Sequence, residues 1–139
     1  MRLYRPVGVR ELELIAEAGW RAFPPRLSTQ PIFYPVLTRE YAVSIALEWN
    51  TGDAASGYAG FVTEFDVEDE YAARFEAKRV GATGHLELWV PSAELAEFND
   101  HLLGPIRVTE ARYGPRFAGT VDEATGLPAS VAPLPPCGK

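Results

Sequence analysis

The spacing of apolar and polar positions changes several times along the chain, and each change marks an element. Leu3, Tyr4 and Val7 in the LYRPV stretch read as a short strand. Pro6 has no backbone N–H to give a ladder, so this strand is expected at a sheet edge or at a strand end. From Gly8 to Ala18 the period becomes helical. Val9, Leu12, Ile15 and Ala16 share one face, and Arg10, Glu11, Glu13 and Glu17 stay outside it. Gly19 stands where a helix commonly ends on a left-handed residue. Pro24, Pro25 and Pro31 make 20–31 a loop. A second short strand follows over 32–36. Thr38 then caps a helix running to about Trp49, with Tyr41, Ala42, Ile45, Ala46 and Trp49 turned inward.

The clearest alternation is at 57–67. Ala59, Phe61, Thr63, Phe65 and Val67 fall on one side, and Tyr58, Val62, Glu64 and Asp66 on the other. A helical turn is expected around 71–75, a weaker strand at 76–80, and a turn at Gly81 and Gly84. A second alternating strand covers 85–90, with Leu86, Leu88 and Val90 opposite His85, Glu87 and Trp89. Pro91 stops it. Ser92 is then expected to cap a helix whose inward residues are Leu95, Phe98 and Leu102, and 106–111 is a last strand. The residues from 112 to 139 carry five Pro and four Gly and show no period, so they read as an irregular Pro/Gly-rich tail packed by Tyr113 and Phe117. The pattern describes one small α+β domain over 1–111 with three to four short helices. Its sheet is bent and mostly antiparallel or mixed.

Composition narrows the function classes. Of 139 residues 47% are hydrophobic and 23% charged, which fits a globular chain rather than a disordered one. Thirteen basic and nineteen acidic side chains give a net charge of −6, and that disfavours general nucleic-acid binding. One cysteine, Cys137, allows no intrachain disulfide, and with only two His at no ligand spacing a metal site is not expected. No apolar run approaches the roughly 20 residues of a spanning helix, so a cytoplasmic protein with no membrane contact is the expectation. Phosphate-binding glycine loops and nucleophile elbows are missing.

The polar residues that stand out lie on the short strands. Glu87 sits among Leu86, Leu88, Trp89 and Val90, where a carboxylate needs either solvent, a partner or a cleft. Arg5 offers a planar fork of donors suited to phosphate or carboxylate, with a surface arginine as the plainer reading. Tyr34 reads either as a half-buried core aromatic or as a ring that stacks on a flat ligand. Thr38 is accounted for as a helix cap. The acidic run from Glu64 to Glu70 reads as a solvated face. A different expectation, recognition of a protein partner, would use an exposed patch of Trp20, Phe23, Phe33 and Tyr34 around the Pro24–Pro25–Arg26 loop.

Taken in order, LYRPVG, the ELxxI helix ending in GWRAFPPR, PIFYPVLTREYA, ASGYAGFVTEFDV and HLELWVPSAELAEFN resemble the ADP-ribosyltransferase-like fold. The stretches FPPR, QPIFYPV, WNT, SGY and LWVP are also similar to a set of short bacterial proteins labelled "ADP-ribosylation/J-crystallin". The likeness covers about residues 2–111. It implies an ADP-ribosyltransferase-like fold and NAD as substrate, either for ADP-ribosyl transfer or for NAD glycohydrolysis. A further possibility it leaves open is a non-catalytic module that binds a nucleotide or a protein. Residue by residue, it implies Glu87 as the catalytic carboxylate, Arg5 on the NAD phosphates or ribose, and Tyr34 and Thr38 near the nicotinamide. Trp89 or Tyr34 would supply an aromatic wall. The acceptor, a protein or a small molecule, is not named by the resemblance. His85 stands two residues before Glu87, where arginine-modifying transferases carry Gln or Glu. Pro6 directly after Arg5 is a second departure, and the Ser-Thr-Ser triplet is missing.

Overall fold

The computed structural model describes residues 1–26, 31–80 and 85–132. Strand β1 (Arg2–Val7) turns at Gly8 into helix α1 (Val9–Glu17), and after a loop come β2 (Ile32–Phe33) and α2 (Arg39–Glu48). Two single 3₁₀ turns lead into β3 (Ala59–Asp66) and α3 (Asp69–Ala72), followed by the hairpin strands β4 (Ala77–Val80) and β5 (His85–Leu88). Strand β6 (Val90–Pro91), a 3₁₀ turn at Ser92–Glu94, α4 (Leu95–Asp100) and β7 (Arg107–Tyr113) complete the order. The expected α+β class holds, and every described strand pair is antiparallel. The expected turn at Gly81 and Gly84, and Cys137, lie outside the described residues.

Three small sheets, β1-β3-β7, β2-β6 and β4-β5, are knitted together by Val36. Tyr4 and Val36 exchange both backbone hydrogen bonds, at 2.9 and 2.8 Å. On the other side Leu37 N–H donates to Leu86 O and Leu88 N–H to Pro35 O. Val36 therefore lies between β1 and β5, opposite Tyr4 and opposite Glu87. The same register continues into β2 and β6, where Phe33 faces Val90 and Ile32 faces Pro91.

Pairing fixes which side chains share a face, because directly opposed residues point the same way and neighbours in sequence alternate. Leu3, Arg5, Val7, Phe33, Leu88 and Val90 belong to one face. That face carries the main core, built with Leu12, Ile15, Phe61, Phe65, Phe98 and Ile106. Tyr4, Pro6, Tyr34, Val36, Glu87 and Trp89 belong to the other, which α2 covers through Ala42 and Ala46 packed on Val36 and Val62. Strand β3 is consequently buried on both sides from Ala59 to Thr63, where the alternation had implied one inward face.

Local chemistry explains the element ends. Thr38 accepts from Tyr41 N–H as the cap of α2. Gly19 ends α1 with φ +70°, and Trp20 follows in the same left-handed region at φ +64°. That conformation is costly for a bulky residue. It is offset here by burial of the indole, by its N–H donating to Ala132 O at 3.0 Å, and by Trp20 O accepting from Ile106 N–H at 2.7 Å.

Several expectations are corrected. Trp49, expected on the inward face of the second helix, is 68% exposed. Ser92 opens a 3₁₀ turn and makes no capping bond, and α4 begins at Leu95. Strand β1 is interior at Tyr4, with partners on both sides, and becomes an edge only from Pro6. Trp20 and Phe23 are each 2% exposed and Phe33 is fully buried, so these rings form core rather than a surface patch. Strand β7 also runs two residues past the expected end, to Tyr113, whose hydroxyl donates to Gly126 O. No helix among the described residues is long and apolar enough to cross a membrane.

Candidate functional site

The strand containing Val36 and strand β1 part company just beyond their one exchanged pair. Two residues along in this register, Pro6 faces Tyr34. A further hydrogen-bonded ring there would need an N–H on residue 6, which proline lacks. On the opposite side of the strand, Pro35 likewise accepts from Leu88 but has no N–H to return. Pro6 alone releases Tyr34 from the ladder, because the backbone of Tyr34 faces β1 and that of Pro35 faces β5. A fork opens, and a groove of about 370 Å³ fills it, lined by Arg5, Pro6, Tyr34, Val36, Ile45, Glu87 and Trp89. Ile45 is contributed by α2.

Four of the five residues singled out in the sequence line this groove, but they do not point the same way. Tyr34, Glu87 and Trp89 share the α2 face. Tyr34 stands opposite Trp89, with ring centroids 5.7 Å apart at 87°. Trp89 donates its indole N–H to Glu87 Oε1 at 2.9 Å. The second Glu87 oxygen accepts no hydrogen bond from the described residues, so a carboxylate with free lone pairs sits half-buried beside an aromatic wall. Lys78 pairs across the hairpin with Glu87 and places its ammonium 4.7 Å from the Trp89 ring centroid. His85 stacks flat on Tyr41 at 4.3 Å on the same face. Burial, and then the charge of Glu87, push the Tyr41 hydroxyl above its ordinary range.

Arg5 turns to the opposite face. Its residue exposure is 9%, and its guanidinium donates in bidentate fashion to Glu11 at 2.7 and 3.0 Å. It also lies over the Phe33 ring at 4.7 Å. The turn at Gly8 that reverses β1 into α1 brings these two residues together. Arg26, from the proline loop, lies near the same pair. Burial lowers its affinity for the proton, the nearby Arg5 charge lowers it further, and Glu11 and Tyr34 act in the other direction. Thr38 is exposed, engaged as the α2 cap, and does not line the groove.

Sequence reasoning missed Lys78, Arg26, Ile45 and the role of Pro6. Lys78 becomes a neighbour of Glu87 only through hairpin pairing, and Ile45 reaches the groove only because α2 lies over that face of the sheet. Neither contact leaves a periodic trace in the sequence. Compared with protein-family models, with curated proteins and with solved structures, the chain matches none of them.

Proposed function

We propose that the groove binds NAD and that Glu87 promotes loss of its nicotinamide, with ADP-ribosyl transfer or hydrolysis as the outcome. The single observation that carries this reading is the half-buried Glu87 carboxylate on one face with Tyr34 and Trp89. The resemblance of the sequence to the ADP-ribosyltransferase-like fold supports it, and the reading assumes a cytoplasmic protein.

A flat heterocycle would lie against the Tyr34–Trp89 wall. When the C1′–N bond breaks, its electron pair leaves with neutral nicotinamide and positive charge develops on the ribose. The free oxygen of Glu87 would meet that charge, or accept from a ribose hydroxyl, and stabilise the transition state more than the ground state. Water or an acceptor nucleophile then adds at C1′ and gives up a proton. Trp89 holds the Glu87 carboxylate by its indole N–H, and Lys78 steadies the outer face of that indole.

Nicotinamide release by the purified protein tests this reading. The wild type should release nicotinamide, and Glu87→Gln should lower the rate by about 100-fold or more. Equal rates in the two proteins would refute it. A second reading, nucleotide binding without cleavage, is favoured by the capture of Arg5 by Glu11 on the opposite face. It predicts binding of NAD and ADP-ribose with no nicotinamide released by either protein.

A further inference from the structure

We propose that the outer edge of β7 is a self-association surface, on which a second copy of this chain adds its own β7, antiparallel, about a two-fold axis at Ala111. Strand β3 separates this surface from β1 and the Tyr34–Glu87 groove, so it does not depend on what that groove binds.

Strand β7 ends its sheet and pairs with β3 on one side only. Backbone groups of successive residues alternate in direction along a strand. Gly114 N–H donates to Tyr58 O, so in this register Arg112 and Glu110 also turn toward β3, while Tyr113 and Ala111 turn away from it. The register shifts opposite Val62 and Thr63, and past that irregularity the outward residues are Val108 and Ile106. Ile106 N–H meets Trp20 O at 2.7 Å. Among the described residues, the outward backbone groups of Val108 and Ala111 have no hydrogen-bond partner. The segment after β7 does not supply one. Tyr113 Oη donates to Gly126 O and Trp20 Nε1 to Ala132 O, and Leu127 and Val131 pack on the main core, so this segment runs along the core side of the edge. Between it and β7 lies a groove of about 580 Å³ with apolar walls from Trp20, Ile106, Val108, Ala111 and Leu127. An unpaired edge above an apolar floor is a template for another strand.

Charge decides which strand fits. Glu110 and Arg112 lie on the α2 face, opposite Val62 and Gly60. Glu110 accepts from Arg39 at 3.0 Å, and Arg112 stands 3.4 Å from the same carboxylate. With Ala111 opposite Ala111 of the second copy, the two residues exchange both of their outward hydrogen bonds. Each Glu110 then stands directly opposite Arg112 of the other chain, and the two-fold axis makes this pairing twice. Unlike charges placed opposite each other stabilise an antiparallel pair, and like charges oppose it. Sliding the copy by one step of the ladder sets Arg112 against Arg112, and sliding it the other way sets Glu110 against Glu110. Pairing Val108 with Ala111 instead sets Arg107 against Arg112. The edge is therefore complementary to itself in the register centred on Ala111, and the small alanine leaves room where the two side chains meet.

Analytical ultracentrifugation of the full chain tests the surface, at about 0.15 M salt so that the general repulsion between two acidic chains is screened. The wild type should sediment as a dimer at about 100 µM and dissociate on dilution. Arg112→Glu and Glu110→Arg should each weaken self-association by about tenfold or more, because each sets like charges opposite one another at two places. Mixed in equal amounts, the two variants should associate with each other, since every glutamate of one then faces an arginine of the other. Ala111→Pro removes an outward N–H and no bond to β3, so it should be monomeric and still unfold cooperatively. A wild type that stays monomeric at that concentration overturns the proposal. Single variants that dimerise as well as the wild type also overturn it, and so does a mixture that stays monomeric while the wild type pairs.

Discussion

Replacing Glu11 by Gln isolates the charge pairing that holds Arg5. The change keeps side-chain size and removes one charge. In the wild type Glu11 accepts two bonds from Arg5, and the side chains are 22% and 11% exposed. A hydrogen bond to a charged group contributes about 1.5–3 kcal/mol, and stripping the partner from a fully buried pair costs about 3–5 kcal/mol. Water reaches Glu11, so part of the loss is recovered, and Gln still offers one acceptor oxygen. The expected destabilisation is therefore about 2–3 kcal/mol. With a urea slope of about 2 kcal/mol/M for a domain of this size, the midpoint should fall by about 1–1.5 M.

Urea unfolding followed by tryptophan fluorescence measures that shift, and a cycle with Arg5→Met assigns it to the pair. Arg5→Met with Glu11→Leu should recover most of the stability, because neither charge is then left alone. A midpoint that moves by less than about 0.3 M in Glu11→Gln, about 0.5 kcal/mol and so no more than an ordinary surface substitution, would refute this account of the pair.

Two other outcomes follow from the geometry. Asp66 is held below its ordinary range by its hydrogen bond to Arg2, against some desolvation, with the Arg2 and Arg107 charges adding to the effect. A carboxyl depressed in the folded state contributes stability that is complete above its unfolded pKa of about 3.9 and is lost as pH falls through the folded value. Asp66→Asn should therefore show a shallower loss of urea midpoint than the wild type between about pH 4 and pH 2, and parallel acid limbs would contradict this. Pro6→Val restores the missing N–H opposite Tyr34. Its amide should show slowed hydrogen exchange and the variant should release less nicotinamide. Stability should change little, because a bond of about 0.5–1.5 kcal/mol is set against about 0.4–1 kcal/mol from loss of the proline's restraint on the unfolded chain. An unprotected amide at that position would show that proline is not what opens the fork.

The helices and long strands were legible because their signals are local. The 3.6-residue spacing of Leu12 and Ile15, the alternation through β3, the Thr38 cap and the left-handed Gly19 each depend on neighbours in sequence. What stayed hidden depends on pairing. Val62 reads as an outward residue by alternation and is buried because α2 lies over it. Trp20, Phe23 and Phe33 sit in a proline-rich stretch that reads as surface, yet they fill the core because β2, the loop and α4 close over one another. Glu87, Tyr34 and Trp89 stand out separately in the sequence, and their sharing of a face follows from the register set at Val36. Arg5 stands out with them and lies one residue out of phase, so its side chain emerges on the other face.

That phase difference gives Pro6 its meaning. In sequence it interrupts a strand beside the most conspicuous arginine and looks like a departure from the pattern the rest of the chain resembles. In the sheet, the even-numbered residues of β1 direct their backbone groups away from β3, as Tyr4 does toward Val36. A proline at residue 6 therefore costs β3 nothing and withholds its N–H only from Tyr34. Had the proline fallen at residue 5, it would have broken the β1–β3 ladder and weakened the core, since Arg5 is paired there with Thr63. One position later, it leaves the core intact and stops the ladder beside Tyr34. The groove exists because the ladder stops at that residue, and the side chains able to do chemistry stand on its two banks.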